Sequence, residues 1–497
     1  MTITAFDSPS GGFREHATNG AVITGVAQAI KFVVQTSSVI VLARLLTPVD
    51  YGLIAMVTPI LGFVMMFQDF GLTQATVQKK DINHAQVSSL FWMNLGFSLI
   101  LSVLLIAASP LIALFYGDPR IAPLTVAFGC LVFVNGLGSQ HMALLNRQMR
   151  FGALALIDTA AAILSFAGAL LFAILWDNYW ALFVGSLILS ATPVIGSWSL
   201  VRWIPGRPAR AEGLGEILGF GGGITGFGFA NFFARNLDNV LIGWRWGDQA
   251  VGTYDRAYKL LLMPLQQVTG PLARVLQPVL ARLVDEPERY RNAYLNSVRQ
   301  MLLLVLPGVI FMIGTSDVLI VTLLGPEWVA AGKIFSALGY AALVQALNNP
   351  TGWLFVSQGR TREYMLWGFF SSTTSILAFV CGLWAGPFGV AAAYAISEYL
   401  RTPLLWAVVT RSGPVRPSDI IRTTTPHIAA CVTTLILVHL LRRVPSLPSI
   451  ELLGLALASS YAAYLAVMFL FSEGRSTMTD SLNILRGLID RVMRVAR

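Results

Sequence analysis

Apolar residues occur along this chain in long runs that short polar clusters separate. The runs begin near residue 20 and end near residue 471, and most are about 20 residues long or longer, which is the length that a helix needs to cross a bilayer. A soluble chain would instead show polar helix faces and longer hydrophilic loops. The pattern predicts an all-α polytopic membrane protein. About fourteen transmembrane helices are predicted, at 20–45, 52–77, 86–115, 121–146, 151–175, 179–201, 216–244, 252–282, 295–324, 329–357, 364–385, 388–410, 420–441 and 450–471.

The composition supports this class, because 55% of the residues are apolar and only 12% are charged. The first apolar run follows a polar stretch of nineteen residues and is longer than a signal-peptide core, so it is predicted to be a retained helix. Cys130, Cys381 and Cys431 all lie within predicted spans. They are interpreted as small apolar residues, and neither a disulfide framework, a metal site nor a cofactor is expected.

Basic residues are distributed unequally between alternate loops. With the N-terminus in the cytoplasm, 22 lysine and arginine residues fall on the cytoplasmic side and 4 on the opposite side. Because positive residues collect on the cytoplasmic side, both termini are predicted to be cytoplasmic. The net charge of +9 is then explained by basic loops that lie next to an anionic leaflet. A nucleic-acid partner is not needed to explain it. The basic amphipathic tail, 472–497, is predicted to lie on that membrane surface; a solvated tail is the alternative.

An internal repeat predicts the domain organisation. With an offset of 201, residues 21–44 align with residues 222–245, and VDYGLIA at 49–55 is echoed by AVGTYDR at 250–256. Six helices separate the copies, so two six-helix lobes of the same orientation are expected around a central cavity. The predicted parts are a tail at 1–19, an N-lobe at 20–205, a C-lobe at 206–415, two further helices at 416–471, and the basic tail. The identical pairs are Ile23 and Ile224, Thr24 and Thr225, Gly25 and Gly226, Ala29 and Ala230, Phe32 and Phe233, Val39 and Val240, and Arg44 and Arg245.

Eight basic residues lie within the predicted spans. Charges at membrane depth are costly unless they are paired or face a water-filled cavity. The stretch ANFFARNLDNVLIGW, 230–244, and the next helix carry four of these cations against Asp238, and such a lining suits an anionic substrate such as a phosphate or pyrophosphate headgroup. The eight residues are Lys31, Arg44, Arg235, Arg256, Lys259, Arg274, Lys333 and Arg401.

Each of these charges also has a structural interpretation. Arg235 and Asp238 are three residues apart, so they either form an ion pair that fixes helix packing or line the cavity. The same spacing favours a structural pair for Glu398 and Arg401. Lys31 lies too deep to reach the interface easily, and cavity lining is favoured for it.

The acidic residues Asp69 and Asp158 are isolated in the second and fifth predicted helices. They are interpreted as partners of Lys31 or as carriers of a proton or another coupling ion.

Several motifs resemble one known family. LARLLTPVDYGLIAM, DFGLTQATVQ and above all NLDNVLIGWRWGDQAVGTYDRAYKLLLMPLQQVTGPLARVLQPVLARL are similar to the Wzx-type, WzxC-like lipopolysaccharide and exopolysaccharide flippases of the multidrug/oligosaccharidyl-lipid/polysaccharide (MOP) superfamily. The resemblance runs from about 20 to 411 and is most specific at 235–282. The D-N-x-L-I-G pattern stands at 238–243, with Val240 where leucine is usual, and Y-x-R-A-Y-x-L stands at 254–260.

The resemblance implies a flippase in a bacterial cytoplasmic membrane. It would move undecaprenyl-pyrophosphate-linked oligosaccharide repeat units by alternating access through a cationic lumen, with a cation gradient as the driving force. Membrane lipids and the polysaccharide polymerase and chain-length machinery are the implied partners. The resemblance implies substrate contacts at Arg235, Arg256, Lys259, Arg274 and Lys31. Asp238 and Asn239 would support these contacts. Asp69 and Asp158 would bind the coupling ion.

Two other classes of protein would show different sequence features. A MATE-like, cation-coupled multidrug antiporter of the same fold would favour an acidic lumen, whereas basic residues outnumber acidic ones within the predicted spans. An enzyme acting on the same lipid carrier would need a sizeable outer loop or a carboxylate cluster. The sequence shows neither feature, so a transport protein is expected rather than an enzyme.

Overall fold

The computed structural model describes the backbone of residues 13–69, 72–78, 82–207, 214–443 and 448–495. Within the helices, the side chains at 13–24, 69, 75, 78, 214–231, 233, 234, 484, 485 and 487–495 lie outside the description. Seventeen α-helices follow one another in the described ranges. They are α1 Phe13–Leu45, α2 Pro48–Asp69, α3 Leu72–Gln78, α4 His84–Tyr116, α5 Ile121–Arg147, α6 Phe151–Trp176, α7 Trp180–Leu200, α8 Leu214–Arg282, α9 Pro287–Gly314, α10 Ser316–Leu324, α11 Val329–Asn348, α12 Thr351–Ser357, α13 Thr361–Gly382, α14 Gly386–Val409, α15 Pro417–Leu441, α16 Ser449–Leu470 and α17 Ser472–Val495.

The described helices agree with a chain of fourteen spans. Eleven segments are long and apolar enough to cross a membrane, and one of them, Thr361–Val409, contains both α13 and α14. Helix α8 is 69 residues long and has non-helical backbone at Gly247, so it supplies two more helices, at 214–246 and 248–282. The all-α multi-pass fold predicted from the hydrophobic pattern is therefore confirmed.

The break in α8 lies where the internal repeat places it. Gly247 has φ 82° and ψ −174°, a conformation in the positive-φ region that glycine adopts without steric cost. The offset of 201 maps Gly247 onto Leu46, which directly follows the end of α1 at Leu45. Both copies of the repeat thus end their first helix at the same register.

The chain forms two compact units, the first of which contains residues Met1–Thr253. Within it, α4 packs against α5, α6 against α7, and α1 against α6. Small residues permit this packing: a Cβ built on Gly185 would lie 3.0 Å from the Cβ of Ala169, so α6 and α7 approach closely. An apolar cluster of this unit includes Leu90, Phe91 and Leu144, all nearly fully buried.

The backbone after α7 remains attached to the first unit. Residues 201–207 have no regular structure, and α4 holds them through side-chain bonds. The Gly206 N–H donates to Ser88 Oγ at 2.9 Å, and Trp92 Nε1 donates to the Gly206 carbonyl at 2.8 Å. His84 and His141 lie 3.2 Å from the carbonyl oxygens of Ile204 and Trp203, respectively. These bonds satisfy backbone groups that no helix or strand pairs.

The second compact unit contains residues Tyr254–Arg497. Helix α14 packs against α11 and α13, while α15 packs against α9 and α16. The two C-terminal helices of the hydrophobic pattern, α15 and α16, are therefore integral to this unit. The first half of α8 belongs to the first unit by this division, and the lobes at 20–205 and 206–415 stay a prediction.

Candidate functional site

The second half of α8 carries an ion-paired group of three charged residues. Asp255 is 3% exposed, and each of its carboxylate oxygens meets a different cation. Arg256 donates to Oδ2 at 3.0 Å, and Lys259 Nζ lies 2.9 Å from Oδ1. Two cations against one buried carboxylate leave this group with a net positive charge.

The helix periodicity explains why these cations do not enter the core. Tyr254, Ala257 and Leu261 are nearly fully buried and recur at three- and four-residue spacing, which forms an apolar stripe. Arg256 and Lys259 lie on other faces, and their side chains are 13% and 46% exposed. Lys259 has three donor hydrogens, so its ammonium can bind an anion while it keeps Asp255.

Arg274 lies farther along the same helix and is exposed. It follows Arg256 by eighteen residues, which is five helical turns or about 27 Å along the axis. In an unbent helix the two arginines would share a face. Pro264 and Pro271 lie between them, and proline bends helices. The predicted contacts Arg256 and Lys259 are thus close together, whereas Arg274 is distant from them.

The opening stretch of α8 separates two charges that the sequence suggested as a pair. Arg235 is exposed, whereas Asp238 is 4% exposed. No ion pair joins Arg235 to Asp238 in the described part of the chain. Asp238 Oδ1 accepts the backbone N–H of Asn239 at 2.8 Å. The ion-pair interpretation of Arg235 and Asp238 is therefore wrong, and Arg235 is left accessible.

Lys31 meets one of its two suggested partners. Its Nζ lies 3.5 Å from Asp158 Oδ2, which joins α1 to α6 within the first unit. Both side chains line a cavity of about 120 Å³ that also includes Gln28 and Thr159. The side chain of the other suggested partner, Asp69, lies outside the described residues.

The structural pair predicted at Glu398 and Arg401 is confirmed. Arg401 NH2 donates to Glu398 Oε1 at 2.5 Å, and both side chains are largely buried. The other terminal nitrogen of Arg401 has two hydrogens to donate and lies within 3.1 Å of three hydroxyl groups of α13, those of Ser371, Thr374 and Ser375. Its donors are used in joining α14 to α13, so this arginine is not available to a substrate.

Sequence reasoning missed Asp255 as the counter-ion of two candidate substrate contacts. The signal was present, because Asp255 and Lys259 have the four-residue spacing that favours ion pairs on a helix. Gln28 and Thr159 were also missed, and no sequence signal distinguishes them from other polar residues of a span. In the described residues no group of three or more histidine, cysteine or acidic side chains is placed to hold a metal ion.

A comparison with protein-family models identifies the family. Residues 41–333 match the model described as "Polysaccharide biosynthesis protein", and this range is more than half of the 497 residues. The chain belongs to this family. The matched range runs from the end of α1 into α11 and includes Asp158 and the whole of α8, so the resemblance noted in the sequence is confirmed.

Several curated relatives are about a quarter identical to this chain over the aligned residues. The teichuronic acid biosynthesis protein TuaB of Bacillus subtilis is 26% identical over 70% of this chain and 73% of its own length. The lipopolysaccharide biosynthesis protein WzxC of Escherichia coli is 24% identical over 80% of this chain and 82% of its own. The succinoglycan biosynthesis transport protein ExoT of Rhizobium meliloti is 26% identical over 65% of this chain and 64% of its own.

Two solved structures have a similar fold. The lipid II flippase MurJ, in an inward closed conformation, has a TM-score of 0.73 at 12% identity, over 91% of this chain and 99% of its own. An inward-facing multidrug resistance MATE transporter has a TM-score of 0.61 at 13% identity, over 81% of this chain and 99% of its own. At these identities the likeness shows the fold alone.

Proposed function

We propose that this protein is a flippase that moves undecaprenyl-pyrophosphate-linked oligosaccharide repeat units across a bacterial cytoplasmic membrane for lipopolysaccharide or exopolysaccharide synthesis. The observation that carries the proposal is the family match over residues 41–333. Relatives over most of the chain are named for teichuronic acid, lipopolysaccharide and succinoglycan synthesis or transport. The helical multi-pass fold agrees with a substrate that has to cross a bilayer.

The intramembrane cations support an anionic headgroup. Arg235, Lys259 and Arg274 are exposed, and Arg256 and Lys259 both contact the Asp255 carboxylate. Cations of this kind bind phosphate oxygens with strong, charge-assisted hydrogen bonds. We assign Arg235, Arg256, Lys259, Arg274 and Lys31 as candidate contacts for the pyrophosphate or acidic sugars. The fold likeness to a MATE transporter does not by itself favour a multidrug antiporter.

The remaining parts of the proposal concern mechanism and setting. Transport would proceed by alternating access, and Asp69 and Asp158 are the candidate carriers of a coupling ion, with Asp238 and Asn239 as supporting groups. Both termini would be cytoplasmic, because the basic loop residues collect on that side. The polysaccharide polymerase and the chain-length machinery are the proposed protein partners.

A transport assay tests this function. Proteoliposomes would contain a fluorescent undecaprenyl-pyrophosphate oligosaccharide, and a membrane-impermeant quencher would report the fraction in the outer leaflet over time. The wild type is expected to accelerate exchange between leaflets. Arg256→Gln and Lys259→Gln should each slow it about tenfold, the effect of losing one charge-assisted contact of about 1.4 kcal/mol or more.

Lys333→Gln is the matched control, because Lys333 is an exposed lysine near the start of α11 and is not assigned to the site. Its rate should equal that of the wild type. If Arg256→Gln and Lys259→Gln also retain the wild-type rate, these cations do not contact the substrate. Failure of the wild type to move any lipid-linked oligosaccharide, together with uptake of a cationic dye driven by a proton gradient, would favour the antiporter.

A further inference from the structure

The ion pair between Lys31 and Asp158 differs from a structural ion pair. Its atoms are 3.5 Å apart, and the two side chains are 28% and 50% exposed. The Arg401 and Glu398 pair is 2.5 Å long, with side chains 6% and 14% exposed. Charge-assisted N–H···O bonds usually measure about 2.7 to 2.9 Å. The Lys31 and Asp158 contact is therefore long and accessible, so it can be opened without breaking a packed core.

The cavity beside this pair contains unused hydrogen-bonding capacity. Thr159 lines the cavity, and its Oγ1 is buried without a hydrogen-bond partner. Gln28 lies in the same lining and is exposed. A buried hydroxyl with no partner is costly, and a rotation of the Thr159 side chain would bring its hydroxyl to an acceptor oxygen within the cavity. The volume of about 120 Å³ is well above the roughly 10–15 Å³ that one water molecule needs.

Other charged groups near α6 are bound elsewhere. Helix α7, which packs on α6, has no ionisable side chain, and neither does α6 beyond Asp158. On α5, His141 lies 3.2 Å from the Trp203 carbonyl, and Arg147 donates to the Thr76 carbonyl. Arg150, which precedes α6, donates to the Leu200 carbonyl. Among the described residues that line this cavity, Lys31 is the cation.

We infer that Lys31, Thr159 and Gln28 form a pyrophosphate site that Asp158 occupies when no substrate is bound. A pyrophosphate group carries more negative charge than one carboxylate and has several acceptor oxygens, so it displaces Asp158 from Lys31 and accepts the Thr159 hydroxyl. When the group leaves, Asp158 returns to Lys31. The carboxylate thereby excludes weakly charged ligands and promotes release. The inference rests on the proposed function for its ligand, the lipid-linked pyrophosphate.

Binding measurements test this exchange. The full-length protein would be placed in phosphatidylcholine nanodiscs, and the affinities for undecaprenyl pyrophosphate and inorganic pyrophosphate measured, with uncharged undecaprenol as the control lipid. Asp158→Asn removes the competing charge at nearly unchanged volume and should tighten binding about tenfold, within the usual range of coupling between sites. Lys31→Gln should weaken binding about tenfold. Thr159→Val should weaken it about fivefold, whereas Thr192→Val, whose hydroxyl already donates to the Ile188 carbonyl, should not.

The decisive measurement is the affinity of the double variant that combines Lys31→Gln with Asp158→Asn. If Asp158 acts by occupying Lys31, its substitution no longer changes affinity once Lys31 is gone, and the two effects are strongly non-additive. In transport, Asp158→Asn should bind more tightly yet exchange the lipid more slowly, because release is impaired. A structural role alone would not tighten binding.

The possible failures are distinguishable. The inference is overturned if Asp158→Asn binds both ligands with unchanged affinity. If the wild type also transports the lipid, the proposed function still holds. Conversely, the expected pattern with inorganic pyrophosphate but no binding of the lipid supports the anion site and contradicts the proposed function. Additive effects in the double variant also overturn the exchange between Asp158 and substrate.

Discussion

Gly52 and Gly252 bring the N-terminal part of α2 into direct backbone contact with α8 just after its break. A Cβ built on Gly252 would lie 1.9 Å from the Pro48 carbonyl oxygen and 2.7 Å from the Gly52 nitrogen, and one built on Gly52 would lie 1.9 Å from the Asp248 carbonyl oxygen. Both glycines belong to the first compact unit. They are the glycines of the two echoing turns in the internal repeat and lie one residue out of register at the offset of 201.

Substitution of either glycine should destabilise this contact. For Gly52→Ala and Gly252→Ala the added methyl group overlaps backbone atoms, and we expect a loss of about 1 to 3 kcal/mol or more in stability, as for other overpacked sites. Thermal unfolding of the detergent-solubilised protein measures it. Gly270→Ala on the same helix is the control, because a Cβ there has no atom within 4 Å. Equal unfolding temperatures for Gly252→Ala and Gly270→Ala would contradict the observed contact.

A pH-dependent contribution is expected from the turn between α4 and α5. Arg120 contacts both Asp118 and Asp248 at 2.6 Å. Its side-chain hydrogen bond, supported by a backbone bond and charge attraction, lowers the pKa of Asp118, and burial opposes this shift. A carboxyl group with a lowered folded-state pKa contributes stability that is complete above its unfolded pKa of about 3.9 and is lost as the pH falls through the folded-state value.

The measurement is the stability difference between wild type and Asp118→Asn at several pH values. The difference should be largest at pH 6 and should disappear as the pH falls below about 4. Because the Arg120 side chain is 45% exposed, the effect should stay within about 1 kcal/mol. A difference that grows as the pH is lowered would contradict the assigned sign.

Asp255 should matter more for folding than either cation that it holds. Asp255→Asn removes the carboxylate that both Arg256 and Lys259 contact, and breaking a buried ion pair from one side costs about 3 to 5 kcal/mol. Lys259→Gln retains the contact between Arg256 and Asp255, and the lysine is half exposed, so its cost should stay near that of a surface pair, about 1 kcal/mol or less. Chemical denaturation of the two variants tests this order, and the reverse order would contradict it.

Arg401 should affect stability without affecting substrate affinity. Arg401→Gln removes the donors to Glu398 and to the hydroxyl groups of α13, and it leaves a buried carboxylate unpaired. The expected cost is about 3 kcal/mol or more. Binding of undecaprenyl pyrophosphate by the folded fraction should be unchanged. Weaker binding at full stability would instead indicate that Arg401 contacts the substrate.

Local features of the chain were predictable because helix geometry fixes them. The apolar runs gave the spans and predicted a turn between 244 and 252, where the structure has the break in α8 at Gly247. Glu398 and Arg401 are three residues apart in one helix, so their pairing follows from spacing alone. The same spacing failed for Arg235 and Asp238, since packing buries Asp238 and leaves Arg235 exposed. Spacing shows which side chains can meet, and packing decides which do.

Contacts between distant segments could not be derived in the same way. Lys31 and Asp158 are 127 residues apart, and the sequence offered Asp69 as an equal alternative. Which acid meets the lysine depends on the rotation of α1 and α6 about their axes, and periodicity within one helix contains no information about that rotation. Only the packing of α1 on α6 decided it.

By itself, the sequence determined the class of protein, the approximate number of spans and the family, and it predicted cations at membrane depth. These properties depend on run length, composition and motifs, because a bilayer imposes a fixed length and a high cost for charge. The tertiary structure alone decided that Asp255 neutralises part of the cationic group, that Asp158 contacts Lys31 beside a cavity, and that Gly52 meets Gly252. Those relationships depend on which helix faces pack together, and close packing permits only particular neighbours.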